Sequence, residues 1–84
     1  MEYFDAKLDY HDKGLLDFYT IEKLLNDFLL DSYLAKHNRL LIVTGKGKVV
    51  RPTVLRLLKN HKSVKKFEPL ESTNFYGGSF VVYI

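Results

Sequence analysis

The chain has 84 residues, of which 46% are hydrophobic and 27% are charged. A chain of this length forms one domain, residues 1–84, and this composition excludes a disordered chain and a membrane protein. No apolar run approaches the roughly 20 residues that span a bilayer, and the first residues lack a secretory signal pattern. The absence of cysteine excludes a disulfide framework and fits a reducing, cytoplasmic location.

The charges are distributed unevenly along the chain. Residues 1–35 carry eight acidic and three basic residues, a net charge of −5. Residues 36–66 carry ten basic residues and no acidic one, and Glu68 and Glu71 complete the total of +3. Such a basic segment is typical of a nucleic-acid-binding surface. The solvated basic face of a lysine-rich protein is an equally open alternative.

The hydrophobic pattern predicts six elements in the order βαβαββ. A strand over Lys7–His11 precedes a helix over Thr20–Lys36, where apolar residues recur every three or four positions and Thr20 is the expected N-cap. The apolar run Leu40–Val43 predicts a second strand. The remaining elements are a helix over Val50–Asn60 and two strands over Val64–Pro69 and Ser79–Ile84.

These elements predict an α/β fold of two layers (α+β), with a four-stranded mixed sheet. Both helices should lie on one face, because strand–helix–strand units cross over with a right hand. Apolar content places the second and last strands in the centre of the sheet and the other two at its edges. The sequence ends at Ile84 inside the last strand, which favours either a C-terminal domain of a larger protein or a trimmed chain.

Two short motifs fall at the carboxyl ends of the first two strands. Asp9 and His11 belong to Leu-Asp-Tyr-His, and alternate residues of a strand point the same way. The segment Thr44-Gly45-Lys46-Gly47 follows the second strand. Ligands of open α/β sheets bind beyond the carboxyl ends of parallel strands, so we expect the two motifs to form one site.

The glycine-containing loop has the chemistry of a phosphate site. Gly45 and Gly47 let backbone N–H groups approach an anion, and Lys46, Lys48 and Arg51 add positive charge near a helix N-terminus. The loop matches neither the Walker A pattern nor the dinucleotide fingerprint, so no nucleotide cofactor is expected. A tight turn that needs positive φ explains the same glycines without a ligand.

The histidines differ in what they can do. His11 suits general acid/base chemistry at neutral pH, with Asp9 orienting it or polarising a water. Judged from spacing alone, the alternative is that Asp9 and His11 are a non-catalytic pair on an edge strand. His37 and His61 are expected to cap the ends of the two helices. The three histidines show no metal-ligand spacing, and no metal ligand is assigned.

With these motifs, the sequence resembles the Smr domain, the small MutS-related family at the C-terminus of bacterial MutS2 proteins and in stand-alone proteins. Residues 8–11 resemble its LDxH motif and residues 44–47 its TGxG or HGxG motif. The resemblance extends over segments 20–29, 39–47, 51–58 and 77–84. It implies a fold like the C-terminal domain of bacterial translation initiation factor three, and nucleic-acid binding, often with endonuclease activity on DNA or RNA.

The resemblance also assigns roles to residues. Asp9 and His11 match the positions implicated in cleavage, and the loop at 44–47 matches the segment implicated in substrate contact. The connection to the first helix departs from the family, because Asp12 stands where a glycine is usual and Lys13–Tyr19 lengthens the chain.

Three functions remain open. The first is a nuclease, in which RNA would supply its own 2′-hydroxyl, whereas DNA cleavage would favour a divalent ion such as Mg²⁺ held by Asp9 and Asp12. The second is a non-catalytic nucleic-acid or ribosome-binding module, and the third is a protein-interaction domain. Phosphate contacts of the second would include Lys59, Lys62, Lys65 and Lys66, and the third would use Leu15, Leu16, Phe18 and Tyr19.

Overall fold

The computed structural model describes residues 3–14, 16–45, 47–70 and 78–84. Its elements, in chain order, are β1 (Ala6–Asp9), a short 3₁₀ turn (His11–Lys13), α1 (Phe18–Leu34), β2 (Arg39–Val43), α2 (Val50–Asn60), β3 (Lys66–Leu70) and β4 (Ser79–Tyr83). Two helices and a four-stranded mixed sheet confirm the predicted fold class. No helix in the described part of the chain is long and apolar enough to cross a membrane.

The sheet has the strand order β1-β2-β4-β3. β1 is parallel to β2, and β4 runs antiparallel to both β2 and β3. The predicted central and edge positions are therefore confirmed. Asp9 pairs with Val43, which pairs with Ser79, so the carboxyl ends of β1 and β2 and the start of β4 lie side by side at one edge.

The hydrophobic core lies between the sheet and the two helices. Leu40, Ile42, Phe80 and Val82 of the central strands pack with buried residues of both helices, which are Ile21, Leu25, Leu29, Val54 and Leu58. Leu41 and Val43, on the opposite face of β2, are buried as well. The uninterrupted apolar run of β2 thus belongs to a central strand whose side chains are buried on both faces.

α1 begins two residues before the predicted start. Asp17 is the N-cap instead of Thr20, because its carboxylate accepts a hydrogen bond of 2.8 Å from the Thr20 backbone amide. That hydrogen bond lowers the pKa of Asp17 by stabilising its charged form. The helix ends before Lys36, whose φ of 62° lies in the left-handed region.

This start of α1 shortens the connection that sets the chain apart from the family pattern. Phe18 and Tyr19 belong to the helix, and their side chains are exposed. Leu16 packs against the core, whereas Leu15 lies outside the described residues. Phe18 and Tyr19 therefore remain available on the surface, as the protein-interaction alternative requires.

Tyr10 ties the end of β1 to α1 inside the core. Its side chain is 2% exposed, and its hydroxyl donates a hydrogen bond of 2.8 Å to the carbonyl of Ile21. Burial raises the pKa of this hydroxyl, so the group stays a neutral donor. Because Tyr10 lies between Asp9 and His11 in the chain, its contacts fix where those two residues stand.

Replacing Tyr10 by phenylalanine keeps the buried ring and removes the hydrogen bond. We expect the free energy of unfolding to fall by about 1 kcal/mol, the usual net contribution of one intramolecular hydrogen bond. Urea denaturation measures the change, and Tyr19→Phe, at an exposed position, is the control and should leave stability unchanged. Equal stability of the Tyr10 variant and the wild type would contradict the role given to this hydroxyl.

Candidate nucleic-acid interface

β1 ends at Asp9, and His11 lies in the 3₁₀ turn that follows. The prediction that these two side chains share one side of a strand is therefore wrong. The Asp9 carboxylate accepts a hydrogen bond of 2.8 Å from the backbone amide of His11. A short carboxylate that captures an amide two residues later closes a turn and competes with continued strand pairing. Asp9 consequently positions His11 through the backbone.

The turn brings His11 against the loop that follows β2. Gly45 has φ of 72°, and a Cβ atom built on it would lie 3.1 Å from Cδ2 of the His11 ring. The imidazole thus lies beside the bare Cα of Gly45, and a side chain at this position would be strained and crowd the ring. The two motifs meet at one edge of the sheet, as the parallel pairing of β1 and β2 leads us to expect.

Gly78 holds the loop from the other side. Its carbonyl accepts hydrogen bonds from the amides of Thr44, at 2.9 Å, and Gly45, at 3.0 Å. A Cβ atom on Gly78 would overlap the carbonyl group of Gly45, so only glycine fits without moving the loop. Sequence reasoning did not assign Gly78 to the site, although two glycines directly before an apolar strand were a signal.

This arrangement limits which loop amides can bind a phosphate. The amides of Thr44 and Gly45 already donate to Gly78, so a phosphate would find its backbone donors later, from Gly47 to the start of α2. α2 has Val49 as its N-cap residue and no side-chain capping hydrogen bond. The uncapped first turn of a helix presents N–H groups and a positive dipole end to an anion.

Arg51, in the first turn of α2, reaches the same edge. Its guanidinium lies over the ring of Phe80, 4.5 Å from the ring centroid, and Nη1 donates to Oγ1 of Thr44 at 3.4 Å. The Thr44 hydroxyl in turn donates to the Gly45 carbonyl at 2.9 Å. Lys48 is exposed in the loop before α2, and Lys46 lies outside the described residues.

The two helices carry opposite charges. α1 contains Glu22, Asp27 and Asp31 against a single lysine, Lys23, which forms an exposed salt bridge of 3.0 Å with Asp27. α2 contains only basic charges, and exposed lysines continue beyond its end. The basic residues without a salt bridge to any described residue include Arg56, Lys59, Lys62, Lys65 and Lys66. Basic residues therefore extend from the loop along α2 to the start of β3.

The geometry contains no preformed metal centre in residues 3–14, 16–45, 47–70 and 78–84. No group of three or more His, Cys, Asp or Glu side chains comes together there. The Asp12 side chain, which DNA cleavage would use with Asp9 to hold a divalent ion, lies outside the described part of the structure. His61 is the C-cap residue of α2, as expected, and the His37 backbone amide caps the end of α1 by donating to the Ser32 carbonyl at 2.9 Å.

These features define a class of protein. It is a two-layer domain with a mixed sheet of strand order 1-2-4-3, in which a glycine-containing loop lies beside a turn that contains a histidine. The family model of the Smr domain matches residues 14–84, and the chain belongs to this family. The match begins after β1, so it does not include Asp9 and His11.

The structure is similar to the crystal structure of the Smr domain of Thermus thermophilus MutS2. The TM-score is 0.79 with 19% sequence identity, over 93% of this chain and 95% of that chain. At this identity the similarity shows the shared fold. No curated protein sequence matches the chain.

Proposed function

We propose that this Smr domain binds nucleic acid at the edge formed by His11, the loop after β2 and Arg51, and cleaves a phosphodiester bond there as an endonuclease. The observation that carries the proposal is the contact between His11 and Gly45, which puts an imidazole beside a basic glycine loop. Family membership supports a nucleic-acid-binding role. The positive surface along α2 supplies the long-range attraction for such a polyanion.

In this proposal, phosphate binding and acid/base catalysis are carried out by different residues of the chain. Arg51, Lys48 and the first turn of α2 hold the phosphate, and His11 acts as the general acid/base. With RNA, the imidazole accepts the proton of the 2′-hydroxyl as its oxygen attacks the adjacent phosphorus and the 5′-oxygen leaves. With DNA, the attacking group is water. Asp9 acts as a positioning residue, because its carboxylate holds the His11 amide.

The test is incubation of the purified domain with labelled single- and double-stranded DNA and RNA, each with Mg²⁺ and with EDTA. We expect binding in every case and cleavage of at least one substrate. Cleavage of RNA in EDTA would assign the 2′-hydroxyl route, and cleavage only with Mg²⁺ would assign a metal-assisted route. An absence of cleavage under all conditions would contradict the endonuclease proposal.

A non-catalytic nucleic-acid or ribosome-binding module is the second candidate. It is favoured by the exposed basic residues that extend from α2 to β3, far beyond what a single scissile phosphate requires. Binding without cleavage in the same experiment would select this function.

Binding should depend strongly on salt and little on sequence, because phosphate contacts dominate such a surface. Replacing Lys46, Lys48 and Arg51 together by alanine should reduce the slope of log K against log salt by up to about three, at roughly 0.9 per phosphate contact on duplex DNA. Fluorescence anisotropy at several salt concentrations measures the slope. Lys23→Ala, on the acidic helix, is the control and should leave it unchanged. An unchanged slope in the triple variant would place the binding surface elsewhere.

A further inference from the structure

Phe80 lies in the central strand β4 at the edge of the site and connects the core to Arg51. Its side chain is 2% exposed, and its backbone pairs with Ile42 on one side and Pro69 on the other. The ring of Phe67 packs edge-on against it, with centroids 5.9 Å apart and an interplanar angle of 77°. The plane of the Phe80 ring is therefore fixed by the sheet and by a neighbouring aromatic ring.

Arg51 rests on this fixed ring. The guanidinium lies 4.5 Å from the ring centroid, within the range of a favourable cation–π contact. The N–H groups of a guanidinium lie in its own plane, so a contact with an aromatic ring leaves them able to donate hydrogen bonds. One of these groups donates to Thr44 Oγ1, which sets the rotation of the plane relative to the loop. The long arginine side chain is thus ordered before any ligand arrives.

We propose that Phe80 is a positioning residue of the nucleic-acid site, acting through Arg51. Its ring holds the guanidinium beside the loop. The Arg51 side chain therefore loses its conformational entropy when the protein folds and not when the ligand binds. This inference rests on the proposed function, because it assumes that Arg51 contacts a phosphate. It goes further because it gives a buried core residue, which belongs to neither of the two motifs, a role in ligand affinity.

The test is a double-mutant cycle on the affinity for a labelled RNA oligonucleotide and a labelled DNA duplex. Phe80→Leu should weaken binding by about fivefold, the equivalent of a cation–π contact of roughly 1 kcal/mol. In the Arg51→Ala background, the same replacement should change affinity less than twofold. Equal losses in both backgrounds would overturn the proposal, because they would show that Phe80 acts on the fold and not through Arg51.

Phe28→Leu is the matched control, since it makes the same replacement at a half-buried, core-packed ring on α1. It should leave affinity near the wild-type value. If Phe80→Leu fails to fold, Phe80→Met replaces it in the cycle, because a flexible side chain fills the same space without a π face. Thermal unfolding followed by circular dichroism confirms which variants are folded.

A measurement without ligand separates the two proposals. The NMR signals of the Arg51 side chain should show a ring-current shift that disappears in the Phe80→Leu variant. An unshifted Arg51 side chain in the wild type would overturn the positioning role even if nucleic acid binds. Failure of the wild type to bind any nucleic acid would refute the proposed function, and the positioning role with it, even where the ring-current shift is present.

Discussion

Replacing His11 by alanine should reduce phosphodiester cleavage by about 10²–10⁴-fold and leave nucleic-acid affinity nearly unchanged. This range is the usual contribution of one general acid/base group. His11 is exposed beside Gly45, so its removal leaves the core intact and the contact of Arg51 with Thr44 in place. Single-turnover cleavage rates and anisotropy titrations measure the two effects separately.

The matched control is His37→Ala, because His37 precedes β2 and so lies at the end of the strand opposite the loop. Its cleavage rate should equal that of the wild type. A wild-type rate in the His11 variant would refute the assignment of His11 as acid/base, whatever the affinity.

Asp9 variants belong to the same experiment and test how His11 is held. Asparagine retains an oxygen that accepts the His11 amide, so Asp9→Asn should keep most of the cleavage rate, whereas Asp9→Ala should lose it together with the turn. An equal loss in both variants would show that the charge of Asp9 matters, in line with a direct catalytic part.

Replacing Gly78 by alanine should disturb the structure more than alanine at any other glycine of this edge of the sheet. The new Cβ would overlap the Gly45 carbonyl, so the loop has to move away from β4. The two amide hydrogen bonds to the Gly78 carbonyl would then weaken, and we expect a loss of roughly 1–3 kcal/mol in the free energy of unfolding. Affinity and cleavage should fall as well, because the loop supports both His11 and Arg51.

Gly47→Ala is the control within the same loop. A Cβ atom at Gly47 meets no atom within 4 Å, and its φ lies outside the left-handed region, so stability should not change. Urea denaturation compares the two variants, and binding titrations follow the loop. Wild-type stability and affinity of Gly78→Ala would show that the loop does not depend on this close approach.

Local patterns in the sequence determine most of the fold. The amphipathic period of α2 predicts its bounds, Val50–Asn60, without error, because side chains three and four residues apart face the same core. The unbroken apolar run of β2 predicts a buried central strand, and chain connectivity then places both motifs at one edge. These conclusions need only the periodicity of helices and strands and the handedness of their connections.

The tertiary structure decides what those patterns leave open. Asp9 ends β1 by capturing the His11 amide, a choice between turn and strand that alternation cannot reveal. The close approach of Gly78 to Gly45 and the stacking of Arg51 on Phe80 join residues distant in the chain. Such contacts depend on the relative positions of two elements, so the hydrophobic periodicity of one segment does not predict them. The sequence by itself therefore determined the fold class and the edge where the two motifs meet, and only the packing of the elements decided how His11 and the loop are held there.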